Sequence, residues 1–207
     1  RYLLENKMWN EAANLKILPA QFPWKNLPWQ EAIIHFARLI GSVRIGNMDS
    51  AKSELKKLNE IHDTLMAQKD SYKANQVQIQ IKASEAWIQF KDGKNNEAFN
   101  LMNSAADMED ATEKHPVTPG EVIPARELLA DLLLQMNKPG DALEAYEADL
   151  KRHPNRFNAL YGAGVAAEKS GNFEKASFYY KQLLSIARVV NSDRPELASA
   201  KHFLKIT

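Results

Sequence analysis

Histidines are the first residues to weigh for chemistry, because a neutral imidazole is the commonest metal ligand and a general base near neutral pH. His35, His62, His115, His153 and His202 are scattered, and no two stand at the i, i+4 spacing that puts a ligand pair on one helix face. The densest acidic stretch runs through Asp107, Glu109, Asp110 and Glu113 to His115. Such a group could meet around a hard cation. The stronger reading is a packed, salt-bridged loop over residues 109–122, in which Lys114 and Arg126 neutralise the acids and Thr118, Pro119 and Pro124 lead into a helix. Long ordered loops tend to carry function, so Glu113, Lys114, His115 and Arg126 are its candidate contact residues. No nucleophile elbow, phosphate-cradling glycine loop or dinucleotide fingerprint is present. With no cysteine, disulfides, thiolate zinc sites and cysteine nucleophiles are excluded. The expectation is a non-enzyme without metal or cofactor.

Composition narrows the partners. The 27 basic and 26 acidic residues nearly cancel, so no net field draws the chain to nucleic acid or to an anionic membrane. No apolar run approaches the roughly 20 residues that span a bilayer, and Arg1-Tyr2-Leu3-Leu4-Glu5 lacks the layout of a signal peptide. Without an initiator Met the chain reads as a piece of something longer, compatible with cytoplasm or periplasm.

The elements that must carry any site announce themselves by repetition. A shift of 34 residues superposes Ala125 on Ala159, Ala142 on Ala176, Tyr146 on Tyr180 and Leu150 on Leu184, and pairs Ala130 with Gly164. Two helices approach closely only where one of them carries a small side chain, which gives these alanines and glycines their purpose. Tyr146 and Tyr180 fall on the same face as those alanines, four residues on. Asn137-Lys138-Pro139-Gly140-Asp141 and Ser170-Gly171-Asn172-Phe173 read as tight turns, and Pro154 separates two units. Weaker copies of the turn stand at Gly93 and Gly46, and Met8-Trp9-Asn10-Glu11-Ala12 resembles the start of a second helix.

Gly164, Ala176, Tyr180, Leu183 and the turn at Gly171 resemble the tetratricopeptide repeat family, whose period is 34 residues. The stretches 109–120 and 154–162 also resemble the C-terminal half of bacterial tetratricopeptide proteins of unassigned function. The resemblance implies an all-α, superhelical solenoid of antiparallel helix pairs. Its expected divisions are a truncated first unit with a Pro/Trp linker at 1–27, a divergent unit at 28–68, a unit at 71–108, an insertion at 109–122, units at 123–156 and 157–190, and a capping helix at 193–205. Helical periodicity predicts helices at about 28–44, 48–68, 71–91, 95–108, 121–136, 139–152, 156–169 and 173–189.

In this family the first helix of each unit lines a concave groove, with its second, fifth, ninth and twelfth positions inward. Counted from Ile79, Ile123 and Phe157, these are Gln80, Ala83, Trp87 and Phe90, then Pro124, Glu127, Asp131 and Leu134, then Asn158, Tyr161, Val165 and Glu168. Gln80, Trp87, Glu127, Asp131, Asn158, Tyr161 and Glu168 are the candidate partner-binding residues. The alternative for Trp87, Phe90 and Tyr161 is packing against the neighbouring helix. The set lacks the Lys and Asn combination by which some members grip a peptide carboxylate. The resemblance therefore implies a non-catalytic scaffold that binds protein or peptide, or a structural half that braces a functional region elsewhere.

Overall fold

The structure is a computed structural model that describes residues 1–113, 121–187 and 193–206. Among the described residues every regular element is helical, and consecutive helices pack in adjacent pairs as the repeat implies. None of these helices is long and apolar enough to cross a membrane. The chain divides into two compact units, Arg1–Ala125 and Arg126–Thr207.

In the first unit, two short helices, α1 (Tyr2–Glu5) and α2 (Trp9–Ala13), precede a 3-10 turn at Trp24–Asn26. The helices α3 (Pro28–Ile45), α4 (Met48–Ala67), α5 (Ser71–Lys91) and α6 (Asn95–Asp110) follow. Pro28 opens α3 at a position whose N–H would be orphaned anyway, and Gly46 closes it at φ 83°, a left-handed turn that glycine adopts without a steric penalty. Asn47 and Asp70 cap α4 and α5 by accepting the backbone N–H groups of Ser50 and Lys73. Phe36, Leu39, Ile40 and Val43 of α3 meet Leu58 and Leu65 of α4 and Val77 and Ile81 of α5 in a common core. Each such side chain contributes roughly 1.5–3 kcal/mol on burial. Lys52, Lys56, Lys57, Glu60 and Asp63 of α4 are exposed, whereas Glu54 is half-buried and pairs with His35 and Arg38 of α3. Arg38 Nε donates to Leu15 O at 2.6 Å, and this bond holds the chain just beyond α2 against α3. Trp29 is buried edge-on to Tyr72, whereas Phe22 and Trp24 form a local pair nearer solvent.

The second unit contains α8 (Pro139–Arg152), α9 (Phe157–Lys169), α10 (Phe173–Ala187) and α11 (Pro195–Leu204). α7 (Ala125–Gln135) begins on the last residue of the first unit. It starts four residues later than the expected 121, because Pro124 disfavours helical backbone at the residue before it. Ala142 and Ala176 are fully buried. The glycines of α9 show why small residues recur. A Cβ on Gly162 would fall 2.2 Å from the Tyr146 ring, and one on Gly164 would fall 2.5 Å from the Tyr180 ring. Each tyrosine thus fills space that a small neighbour leaves open.

Candidate functional site

The expected groove positions meet different fates. In the first unit Trp87 is only 1% exposed. The Arg44 guanidinium lies 3.9 Å from its ring centroid and 5.2 Å from that of Trp9, and Phe90 meets Trp87 edge-on at 6.0 Å. Trp87 is thereby a packing element that joins the end of α3 to α5. Ala83 beside it is buried, and Gln80 is half-buried.

In the second unit Glu127 is 2% exposed, and Arg156 grips it with both arms, Nε to Oε2 at 2.8 Å and Nη2 to Oε1 at 2.9 Å. This fork ties α7 to the residue that opens α9. Asp131 accepts the Tyr146 hydroxyl at 2.6 Å. On α8 the fully buried Asp149 meets His153 Nδ1 at 2.7 Å. Burial pushes the Glu127 carboxyl up to about 7; Asp131 and Asp149 add to that rise, and Arg156 opposes it without overcoming it. Glu127 and Asp131 therefore spend their polarity on holding helices together.

Asn158 accepts Arg194 Nη2 at 2.8 Å, and the same guanidinium sits 3.9 Å from the Phe157 ring centroid while it engages Glu196. Arg194 thus ties the start of α11 to the start of α9. Beside it lies a hollow of about 690 Å³ lined by Tyr161, Val165 and Glu168 of α9, Ser199 and His202 of α11, and Lys205 just beyond that helix. Its floor is aromatic. Tyr180 from α10 lies 6.1 Å from Tyr161 and 5.0 Å from Phe203, ring centre to ring centre, and Phe203 in turn stacks on the 62% exposed Phe173 at 6.5 Å. The Tyr180 hydroxyl donates to Glu168 Oε2 at 3.0 Å. Burial, reinforced by Glu168, raises the pKa of that phenol, so it stays a neutral donor.

The hollow gathers Tyr161, Val165 and Glu168, all expected groove positions, and adds Ser199 and His202, which sequence reasoning missed. The signal was available: Val165 and Glu168 shifted by the 34-residue period fall on Ser199 and His202. α11 continues the register of a first helix while it caps the unit.

In the insertion, Lys114 and His115 lie outside the described residues, Glu113 is exposed and Arg126 is half-buried. The Glu109 carboxylate receives the Ala125 N–H at 2.8 Å, and Thr112 bridges Asn75 to the end of α6. No group of three metal-ligating side chains occurs among the described residues.

Comparison with known proteins adds one match: residues 127–188 fit the family model for the tetratricopeptide repeat. That segment runs through α7, α8, α9 and α10. No curated protein and no solved structure matches the chain.

Proposed function

We propose, taking residues 127–188 as a tetratricopeptide repeat segment, that the second unit is a non-catalytic module which binds a peptide segment of a protein partner in the hollow between α9 and α11. Protein interaction is the general role of such repeats. One observation carries the finer reading: groove positions of two successive first helices, Val165 and Glu168 with Ser199 and His202, line a single concavity. At about 690 Å³ it falls in the roughly 300–1,000 Å³ range of ligand sites. Its floor offers aromatic area and its rim offers hydrogen-bonding groups, the mix that recognises extended peptides. Trp87, Glu127 and Asp131 support this reading only indirectly, through the packing that fixes the helices.

Selection from a displayed random-peptide library against the whole chain tests it. Enriched peptides are expected to lose about tenfold or more in affinity, roughly 1.4 kcal/mol, when Ser199→Trp fills the hollow from the exposed side of α11. They should be indifferent to Glu144→Lys on the exposed face of α8. A library that yields no binders, or binders as sensitive to Glu144 as to Ser199, overturns the reading.

A further inference from the structure

We propose that the segment joining α2 to α3 is a shallow membrane-docking loop, which inserts Leu18, Phe22 and Trp24 into the surface of an anionic lipid bilayer while Lys16 and Lys25 engage the headgroup phosphates. The loop belongs to the first unit and does not depend on the hollow. Single exposed apolar side chains are ordinary, but a gathered set marks an interaction surface. Leu18 is 65% exposed and Phe22 40% exposed. Phe22 N–H and the Trp24 indole N–H both donate to Pro19 O at 3.1 Å, and the Phe22 and Trp24 rings meet edge-on at 4.9 Å. These contacts draw Phe22 and the half-buried Trp24 into one turn beside Leu18. The segment is anchored at both ends, by Arg38 on Leu15 O and by the start of α3 at Pro28.

Two features fit this surface to lipid. The first is polar satisfaction, because an unpaired backbone N–H is costly in an apolar medium. Phe22, Trp24, Asn26 and Leu27 donate their backbone N–H groups to the carbonyls of Pro19, Phe22, Pro23 and Trp24, while Pro19, Pro23 and Pro28 have none to donate. The Trp24 indole brings its own acceptor in Pro19 O, and tryptophan suits the boundary between headgroups and acyl chains. The second is charge. The whole chain is balanced, yet Lys16 and Lys25 are the only charged residues between Glu11 and Glu31. Both are exposed, and neither has an ion pair among the described residues. Glu31, the nearest acid on α3, is engaged with His35. Apolar area and unpaired cations on one loop are the two terms that bind a peripheral element to anionic lipid. A protein partner would need a shaped pocket for each apolar side chain, whereas a fluid surface accepts them in any arrangement.

The test is co-sedimentation of the whole chain with vesicles of phosphatidylcholine alone and with vesicles of equal parts phosphatidylcholine and phosphatidylglycerol. Binding to the anionic vesicles is expected to exceed binding to the neutral ones at least about tenfold, the effect of two lysines at a charged surface. Leu18→Ser combined with Phe22→Ser, both at exposed positions, should lower anionic binding at least about tenfold and leave the far-UV circular dichroism spectrum unchanged. Lys16→Glu combined with Lys25→Glu should remove the preference for anionic vesicles. Phe178→Ser, at a position 58% exposed in the second unit, should change nothing. The inference is overturned by a chain that sediments with neither vesicle, by equal binding to both, or by a loss from Phe178→Ser that matches the loss from the serine pair. Anionic binding that the serine pair leaves intact is adsorption by charge alone, and it too overturns insertion. If the chain ignores vesicles and is captured by immobilised polyglutamate through Lys16 and Lys25, the loop faces an acidic protein and the inference fails.

Discussion

Arg156→Met is expected to lower the stability of the second unit by about 3 kcal/mol at pH 8, and by clearly less at pH 5. Removing one partner of a buried ion pair costs about 3–5 kcal/mol when the charge left behind has no other home, and Glu127 is enclosed between α7 and α9. The pH dependence follows from the carboxyl itself. Its pKa is about 7 in the folded chain against 4.5 for an ordinary glutamate, so the folded form holds its proton longer. The stabilisation this gives is complete below pH 4.5 and is lost as pH rises through 7, a change on the order of 3 kcal/mol. At pH 5 the neutral carboxyl needs the guanidinium little, and at pH 8 the carboxylate needs it fully. Amide exchange in α7 and α9 at the two pH values measures both effects. Glu127→Gln, which resembles the protonated side chain, should flatten the unit's pH response between 4.5 and 7. An Arg156→Met loss that is the same at both pH values would contradict this picture of Glu127.

Gly41→Ala is the second large effect, and it sets packing against helix propensity. In an exposed helix interior the change would stabilise by about 1 kcal/mol. Here the added Cβ would lie 2.4 Å from Ala13 N and 2.7 Å from Trp9 O, both backbone atoms of α2. No rotamer change relieves that overlap, so α2 must retreat and loosen the seat of the fully buried Ala12 and the Trp9–Arg44 contact. The overpacking cost reaches the upper end of its usual range, about 3 kcal/mol, and outweighs the propensity gain. All four tryptophans, Trp9, Trp24, Trp29 and Trp87, belong to the first unit, so fluorescence-detected melting reports on it directly. The midpoint should fall by about 10 °C. An unchanged or higher midpoint would mean that α2 does not lean on Gly41.

Local signals carried most of the fold. Gly46, Gly93 and Gly171 stand at helix turns in the sequence, and all three adopt positive φ. The helix starts at Pro28, Pro139, Phe173 and Pro195 follow from proline and turn chemistry that acts within a few residues. The candidate site was harder because it depends on pairs far apart in the chain. A groove register gives the direction of a side chain, and it is silent on what stands opposite. Trp87 is covered by Arg44, 43 residues earlier. Glu127 is covered by Arg156, 29 residues later. Nothing local marks either arginine as the one that stacks or pairs. The share of α11 in the hollow was written in the 34-residue shift, but its narrow apolar stripe suits a cap equally well, and stripe width does not distinguish a terminal helix from one more first helix.

The proposed peptide site requires that α9 and α11 together present the binding surface. Amide and side-chain chemical-shift mapping of a library-selected peptide on the isotopically labelled chain tests it most directly. Shifts are expected to concentrate at Tyr161, Val165, Glu168, Ser199 and His202. Shifts confined instead to the outer faces of α8 and α10, around Glu144 and Phe178, with those five residues unmoved, would contradict it.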